Sequence, residues 1–249
     1  MDFQTLLSDG ATLAPEILLT LDGPKRDLAI QFEGSRITGV GPLEDYPEAV
    51  PLPGRAVIPG FVDAHTHVGQ IFGKALIGGE PAQIWRRIWH PMERDMDEEQ
   101  SYLSAKWAFW EALRGGFTKL VNYGLNSPQK NAGVHRAAIE TGIRFVSASG
   151  LDEFSGEIGT GQGKKNWSEI EEVILAHLED CEGQEMIAPS VCCSSFMGNT
   201  PETLTKLSSL CSERGVILQI HCNEHFPEVH DSILRYGLRP TELLHKNHV

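Results

Sequence analysis

The sequence lacks a long apolar run and any surplus of positive charge. No stretch approaches the ~18 consecutive apolar residues of a membrane helix. The first ten residues contain Asp2 and Asp9 without a basic stretch, unlike a secretory signal. Acidic residues outnumber basic ones by 34 to 21, which gives a net charge of −13. We therefore expect no nucleic-acid or membrane partner.

Regular cysteine spacing is also missing. The five cysteines are an odd number, and no two of them form a C-x-x-C pair. This argues against a disulfide framework, a zinc finger and a redox module. Reduced thiols in a cytoplasmic protein are the better interpretation.

What is present indicates a globular α/β chain. The 249 residues are 41% hydrophobic, enough to bury a sizeable core. Before residue 59 we predict a strand at 16–21, a hairpin of 27–32 with 36–40, and a proline-rich linker at 46–54.

From residue 56, apolar strands alternate with amphipathic segments, a pattern typical of a parallel sheet. The predicted strands are 61–64, 117–122, 143–147, 186–189 and 216–220. The predicted helices are 98–114, 132–141, 168–180, 201–214 and a last stretch at 232–245. Ser168 and Glu171 fit a capping box, and Gly115-Gly116, Gly142 and Gly215 fit helix stops.

Two histidines end the first of these strands. Pro59-Gly60 breaks any preceding element, and alternate residues of a strand share a face, so His65 and His67 can reach one ion together. The strand at 216–220 runs into His221, which is placed to be a third ligand. Three nitrogen ligands leave positions open on zinc or iron, as catalytic sites do.

Glu224 follows His221 by three residues and would lie at the same rim. A bound metal lowers the pKa of water and so creates a hydroxide nucleophile. Glu224 is the predicted proton shuttle between that water and the leaving group. The other histidines stand in helical or loop contexts and are expected to be surface or packing residues.

The segment from Pro59 to His67, with the later His221-x-x-Glu224, resembles the amidohydrolase superfamily. The finer similarity is to its chlorohydrolase and aminohydrolase branch, which includes S-adenosylhomocysteine/methylthioadenosine, guanine and cytosine deaminases and triazine hydrolases. Further similar motifs occur in the same order: Ile88-Trp89-x-Pro91-x-Glu93, Tyr102-Leu103-Ser104, Glu111-x-Leu113-Arg114-x-Gly116 and Tyr236-Gly237-x-Arg239-Pro240-x-Glu242-Leu243-Leu244.

The resemblance implies a TIM-type (β/α)8 barrel that is incomplete here, with about five strand-helix units. Residues 1–58 would be part of a small β-sandwich domain, and residues 59–249 the amino-terminal part of the barrel. The family's later histidine and aspartate ligands would lie beyond this sequence, so we expect the 249-residue chain alone to be inactive.

The resemblance also implies a function and a substrate site. The expected enzyme is a hydrolytic deaminase of an amino-substituted heterocycle, with one divalent metal, zinc before iron. Its substrate contacts would be Gln70, Trp89, Glu93 and Ser190, the last standing where adenosine-type deaminases carry a histidine after the fourth strand. A homo-oligomer is left open.

Two other functions stay open. One is a cyclic amide hydrolase of the dihydroorotase or hydantoinase type, which usually needs a lysine on the fourth strand, and residues 186–190 contain none. The other is a truncated chain that binds metal without catalysis. Metal content and turnover would separate these alternatives.

Overall fold

The computed structural model describes residues 10–77, 84–124, 127–154 and 163–249 of an α/β protein. The first nine residues of the predicted small domain lie outside that description. The chain divides into two compact units, one ending at Gly60 and the other comprising Phe61–Val249. In the described part of the chain, no helix has both the length and the apolar character needed to cross a membrane.

The first unit is a five-stranded sheet in the order β2-β1-β3-β4, with β5 also pairing with β1. Its strands are β1 (Ala11–Thr20), β2 (Gly23–Lys25), β3 (Leu28–Glu33), β4 (Arg36–Pro42) and β5 (Val50–Val57). The predicted hairpin is confirmed, because β3 and β4 pair antiparallel. Buried Leu13, Leu18 and Ile30 form the centre of this unit's core.

The predicted linker at 46–54 is wrong over most of its length. Residues from Val50 onward form β5, which pairs in parallel with β1 from Leu13 to Leu18. Among the described residues β5 pairs with β1 alone, so it is an edge strand. Because β5 has one neighbouring strand there, its prolines break no backbone hydrogen bond to a second strand. Edge strands tolerate proline for that reason.

The second unit contains a five-stranded parallel sheet in the order β10-β9-β8-β7-β6. The strands are β6 (Phe61–Thr66), β7 (Phe117–Asn122), β8 (Arg144–Ser149), β9 (Ile187–Cys193) and β10 (Ile217–Ile220). Its α-helices are α1 (His90–Asp95), α2 (Glu98–Arg114), α3 (Pro128–Thr141), α4 (Trp167–Asp180), α5 (Pro201–Arg214), α6 (Phe226–Tyr236) and α7 (Pro240–Lys246). A 3₁₀ helix (Val68–Leu76) and a π-helical turn (Trp85–Trp89) precede α1.

Two apolar clusters pack the four helices from α2 through α5 against one face of this sheet. In the first, Phe109 of α2 meets Phe145 of β8 with ring centroids 5.1 Å apart. In the second, Ile174 of α4 and Leu207 of α5 pack with Val191 of β9. Because the five strands are parallel, they run in one direction. Their carboxyl ends therefore lie at one edge of the sheet, which we call the rim.

Local signals explain the helix ends. Asp97 accepts from the backbone N–H of Gln100, and the Gln100 side chain accepts from that of Asp97, so a capping box starts α2. Gly142 and Gly215 end α3 and α5 with φ of 70° and 66°, as predicted.

Several predicted bounds need correction. The capping box of α4 is formed by Asn166 and Glu169, not by Ser168 and Glu171. The predicted helix at 232–245 is two helices, α6 and α7, since Gly237 turns left-handed with φ of 69° and ends the first. The predicted strand at 186–189 continues to Cys193.

Candidate metal centre

The first two histidines of the predicted site lie at the end of β6. His65 is within the strand and His67 follows its last residue, Thr66. The backbone N–H of Tyr123 donates to the Thr66 carbonyl oxygen at 2.8 Å, and that of Gln70 donates to the His67 carbonyl oxygen at 3.0 Å. These bonds fix the backbone on both sides of His67.

His221 lies at the end of β10, the strand at the opposite edge of the same sheet from β6. It follows β10 directly, and its backbone N–H donates to the carbonyl oxygen of Ser194 at 3.1 Å. One side-chain nitrogen from each of His65, His67 and His221 lies within 4.8 Å of the others. The structure therefore brings the three predicted histidines together at one rim. Among the described residues they are the one group of three or more histidine, cysteine or acidic side chains close enough to share an ion.

The electrostatics of His67 and His221 favour neutral imidazoles. Burial, with the neighbouring His221 and His65, lowers the pKa of His67 to about 3. Burial also lowers the pKa of His221, while Glu224 and Asp152 oppose the shift. A neutral ring keeps a lone pair for a metal, so three converging imidazoles fit zinc or a similar ion.

Glu224 lies in the turn after His221, with an exposed side chain. Asn223 adopts a left-handed conformation with φ of 58°, and its amide donates to the hydroxyl of Thr241 at 2.6 Å. The backbone N–H of Glu224 donates to the buried carboxylate of Glu228 at 2.8 Å. Glu228 and Thr241 therefore fix the turn that contains Glu224. In this position the Glu224 carboxylate is close enough to His221 to raise the pKa of the His221 ring.

Tyr123 was not predicted from the sequence. It follows β7, is 9% exposed, and its ring centroid lies 4.3 Å from that of His221 and 5.1 Å from that of His67. Burial raises the pKa of its hydroxyl well above the ordinary value. Its position just past a strand of the same sheet was the signal available, since such residues share the rim with the histidines.

Two predicted substrate residues contact each other. The Gln70 amide donates to a carboxylate oxygen of Glu93 at 3.2 Å. Burial raises the pKa of Glu93 from 4.5 to about 7, while Gln70 and Lys130 oppose the shift. Gln70 lies three residues after His67, so this pair is connected to the rim through a single turn of 3₁₀ helix. The third residue, Trp89, packs its ring against Gly73 of that helix.

The predicted position of Ser190 after a strand is wrong. Ser190 lies in the middle of β9 and is fully buried. Its hydroxyl donates to the carbonyl oxygen of Ser147 at 3.0 Å and accepts from the amide of Gln219 at 2.9 Å. These two hydrogen bonds satisfy the buried hydroxyl within the sheet, and they do not favour a contact with substrate.

Asp152 and His248 have side chains that can ligate a metal, but they do not join the histidine group. A carboxylate oxygen of Asp152 accepts from the backbone N–H of Ser194 at 2.9 Å and from the Asn199 amide at 2.7 Å. His248 follows α7, where its carbonyl oxygen accepts from Ser208. Neither belongs to the group that the structure brings within reach of one ion.

Comparison with known proteins connects this geometry to a family. The sequence profile of the Amidohydrolase family matches residues 56–249. A 5-methylthioadenosine/S-adenosylhomocysteine deaminase of Thermodesulfovibrio yellowstonii is 26% identical over 92% of this chain and 53% of its own length. A 5'-deoxyadenosine deaminase of Methanopyrus kandleri is 30% identical over 81% of this chain and 45% of its own length. The chain spans about half the length of these relatives.

Solved structures share the fold. An adenosine deaminase of Xanthomonas campestris with bound zinc superposes with a TM-score of 0.75 at 18% identity, over 97% of this chain and 55% of the other. The atrazine chlorohydrolase of Arthrobacter aurescens complexed with zinc gives a TM-score of 0.78 at 18% identity, over 95% of this chain and 58% of the other. At this identity the similarity establishes the fold.

Proposed function

Because this chain belongs to the amidohydrolase family, we propose that it is the metal-binding part of a hydrolase that removes an amino group from a small heterocycle. The observation that carries the proposal is the convergence of His65, His67 and His221 at one rim, with Glu224 beside them. The names of the curated relatives, which are deaminases of adenosine derivatives, support the reaction type.

The same family membership supports the finer architecture. Residues 59–249 would be the amino-terminal part of a (β/α)8 barrel, and residues 1–58 part of a small β-sandwich domain. The TM-scores above 0.7 over about half of each solved structure support this assignment. The proposed location is the cytoplasm, because the irregular cysteine spacing fits reduced thiols.

His65, His67 and His221 would hold one divalent ion, with zinc as the first choice and iron as the alternative. Such an ion, when bound, lowers the pKa of water and supplies a nucleophile near neutral pH. The low pKa of His67 means that protons compete weakly for its ring nitrogen at neutral pH. Burial therefore keeps the His67 ring neutral, with a lone pair that can bind a metal.

Glu224 would act as general base and then as general acid. Its exposed carboxylate can meet both the attacking water and the leaving amino group, while its backbone N–H stays bound to Glu228. A carboxylate that carries the proton from one to the other completes the hydrolysis without a second titrating residue. The buried ring of Tyr123 lies 4.3 Å from the ring of His221, centroid to centroid, and would border the reaction site on that side.

Gln70, Trp89 and Glu93 would contact the substrate from the segment that follows β6. Glu93 has a pKa of about 7, so it can donate or accept a hydrogen bond near neutral pH. Such a group suits a hydroxyl or ring nitrogen of a small polar heterocycle. Ser190 is not kept as a contact because of its burial within β9.

Neither alternative has an observation in its favour. The cyclic amide hydrolase usually needs a lysine on the fourth barrel strand, and β9, Ile187–Cys193, contains no lysine. A metal-binding chain without catalysis differs from the deaminase only in turnover. The experiment must therefore measure both metal and reaction.

The test is a screen for ammonia release from amino-substituted purines, pyrimidines, pterins and triazines. We would compare the zinc-loaded 249-residue chain with a protein extended to the length of the relatives. The expected result is ammonia from at least one heterocycle with the extended protein, and none with its Glu224→Gln variant. Stoichiometric zinc without ammonia from any compound would contradict the deaminase and favour the non-catalytic alternative.

A further inference from the structure

A cavity lies on the helix side of β8, between α3 and α4. It has a volume of about 190 Å³, and its polar lining comprises Asn131, Ser149, Glu172, His177 and Asp180. Val173 and Ala176 of α4 supply apolar surface. A dry protein cavity of ~150 Å³ admits benzene, so this space is large enough for one six-membered ring. We call it the α3–α4 cavity.

The α3–α4 cavity is separate from the histidine group because the two lie on opposite faces of β8. The hydroxyl of Ser147 hydrogen-bonds with the ring of His135 in α3, and Ser149 lines the cavity. Ala148, between these serines, packs with Tyr123, whose ring lies next to His221. Alternate residues of a strand point to opposite faces.

Two of the lining side chains are buried without a partner among the described residues. Asn131 is 5% exposed and Ser149 is 3% exposed. Within the described ranges, neither side chain makes a hydrogen bond to the protein. Neither side chain contributes a fully buried polar atom without a partner, so the Asn131 amide and the Ser149 hydroxyl are open to a polar occupant of the cavity.

The charges around the cavity are negative. Glu172 and Asp180 are exposed on α4, and neither forms an ion pair among the residues that the structure describes. Burial lowers the pKa of His177, so this ring adds no positive charge at neutral pH. The adjacent Lys130 donates instead to the carbonyl oxygens of Glu93 and Arg94.

His177 adds an acceptor. Its Nε2 lies 3.1 Å from the carbonyl oxygen of Ser147, and that oxygen can only accept, so Nε2 carries the proton. The other ring nitrogen is then left with a lone pair. The charged and imidazole groups of the cavity therefore accept hydrogen bonds, and only the Asn131 amide and the Ser149 hydroxyl can also donate.

We propose that the α3–α4 cavity binds a small organic cation consisting of one ring and a protonated amine. The ring fills the space beside Val173 and Ala176, and the ammonium donates to the carboxylate of Asp180. Glu172, two helical turns away on α4, adds negative charge at the other end of the cavity. A polar substituent on the ring would satisfy Asn131 and Ser149. The site is independent of the histidine group and of the proposed deamination.

Benzylammonium is a suitable probe, with benzyl alcohol and benzoate as its neutral and anionic counterparts. Calorimetric titration of the 249-residue chain should show binding of benzylammonium and much weaker binding of the other two. Asp180→Asn should weaken binding by about fivefold, the effect of an exposed ion pair. Ala176→Leu, at an exposed lining position, should abolish binding by filling the cavity. Glu179→Gln, an acid of α4 that does not line the cavity, is the matched control and should bind as the wild type does.

Three results would overturn the proposal. They are no binding of benzylammonium at millimolar concentration, equal binding of benzyl alcohol or benzoate, and unchanged binding by Asp180→Asn. Tryptophan fluorescence would verify that each variant is folded. If Ala176→Leu fails to fold, the comparison of Asp180→Asn with Glu179→Gln decides the question alone.

Discussion

Replacing Glu93 by glutamine should stabilise the protein at high pH and leave its stability at low pH nearly unchanged. The structure raises the pKa of Glu93 from 4.5 to about 7, mainly because the carboxyl is buried. In the folded state the neutral form is therefore favoured, and ionisation opposes folding. The amide side chain that Glu93→Gln introduces would stay neutral and could still accept from the amide of Gln70.

The sign and size follow from linkage. Below pH 4.5 the carboxyl is protonated in both states, so it contributes no penalty. Between pH 4.5 and about 7 the folded protein binds more protons than the unfolded chain, and stability falls as pH rises. Each unit of pKa shift corresponds to 1.36 kcal/mol, so the full penalty above pH 7 is roughly 3 kcal/mol. Glu93→Gln should remove this penalty.

The assay is urea unfolding at about pH 5 and about pH 8, followed by tryptophan fluorescence. All five tryptophans lie in Phe61–Val249, so the signal reports the unit that contains Glu93. Glu179→Gln, an exposed position on α4, controls for the loss of one acidic group. A stability difference between wild type and Glu93→Gln that stays constant across this pH range would refute the reasoning.

Three other substitutions have defined outcomes. In an active form of the protein, Glu224→Gln should lower turnover by ~10²- to 10⁴-fold with zinc content unchanged. Near-normal turnover would assign the proton transfer to another residue. Phe109→Ala removes a fully buried ring and should lower the unfolding free energy by ~3–5 kcal/mol, whereas a loss below about 1 kcal/mol would contradict the packing described. Gly142→Ala places a side chain at φ of 70° and should cost ~1–2 kcal/mol in urea unfolding, and an unchanged midpoint would show that the backbone there relaxes.

The sequence predicted elements accurately where glycine and proline punctuate them. The bounds of β7, α2 and α5 agree with the structure because Gly115-Gly116 ends α2, while Pro201 and Gly215 delimit α5. These residues act locally, through backbone conformations that do not depend on distant partners.

Proline misled the prediction where tertiary pairing decides the outcome. Residues 46–54 contain three prolines, yet β5 forms there because it occupies a sheet edge. Pro189 was expected to end a strand, but β9 continues through it and pairs with β8 and β10. The family resemblance placed Ser190 after this strand, whereas the structure places it inside β9.

The candidate site was predictable to the extent that it rests on strand periodicity. Two histidines at alternate positions, and a third after another parallel strand, required only the direction of the strands. Tyr123 was missed because an aromatic residue after a strand is common and carries no pattern of its own. The hydrogen bond between Gln70 and Glu93 likewise depends on the path between them, which the sequence alone does not define.

The most direct test of the central claim is the zinc affinity of single histidine variants near neutral pH. Equilibrium dialysis followed by metal analysis should give about one zinc per chain for the wild type and for His245→Gln, a surface control. His65→Ala, His67→Ala and His221→Ala should each weaken binding by more than tenfold, since even outer contacts of a metal site contribute ~10- to 100-fold. Zinc binding that is absent in the wild type, or unchanged in any of these three variants, would contradict the account.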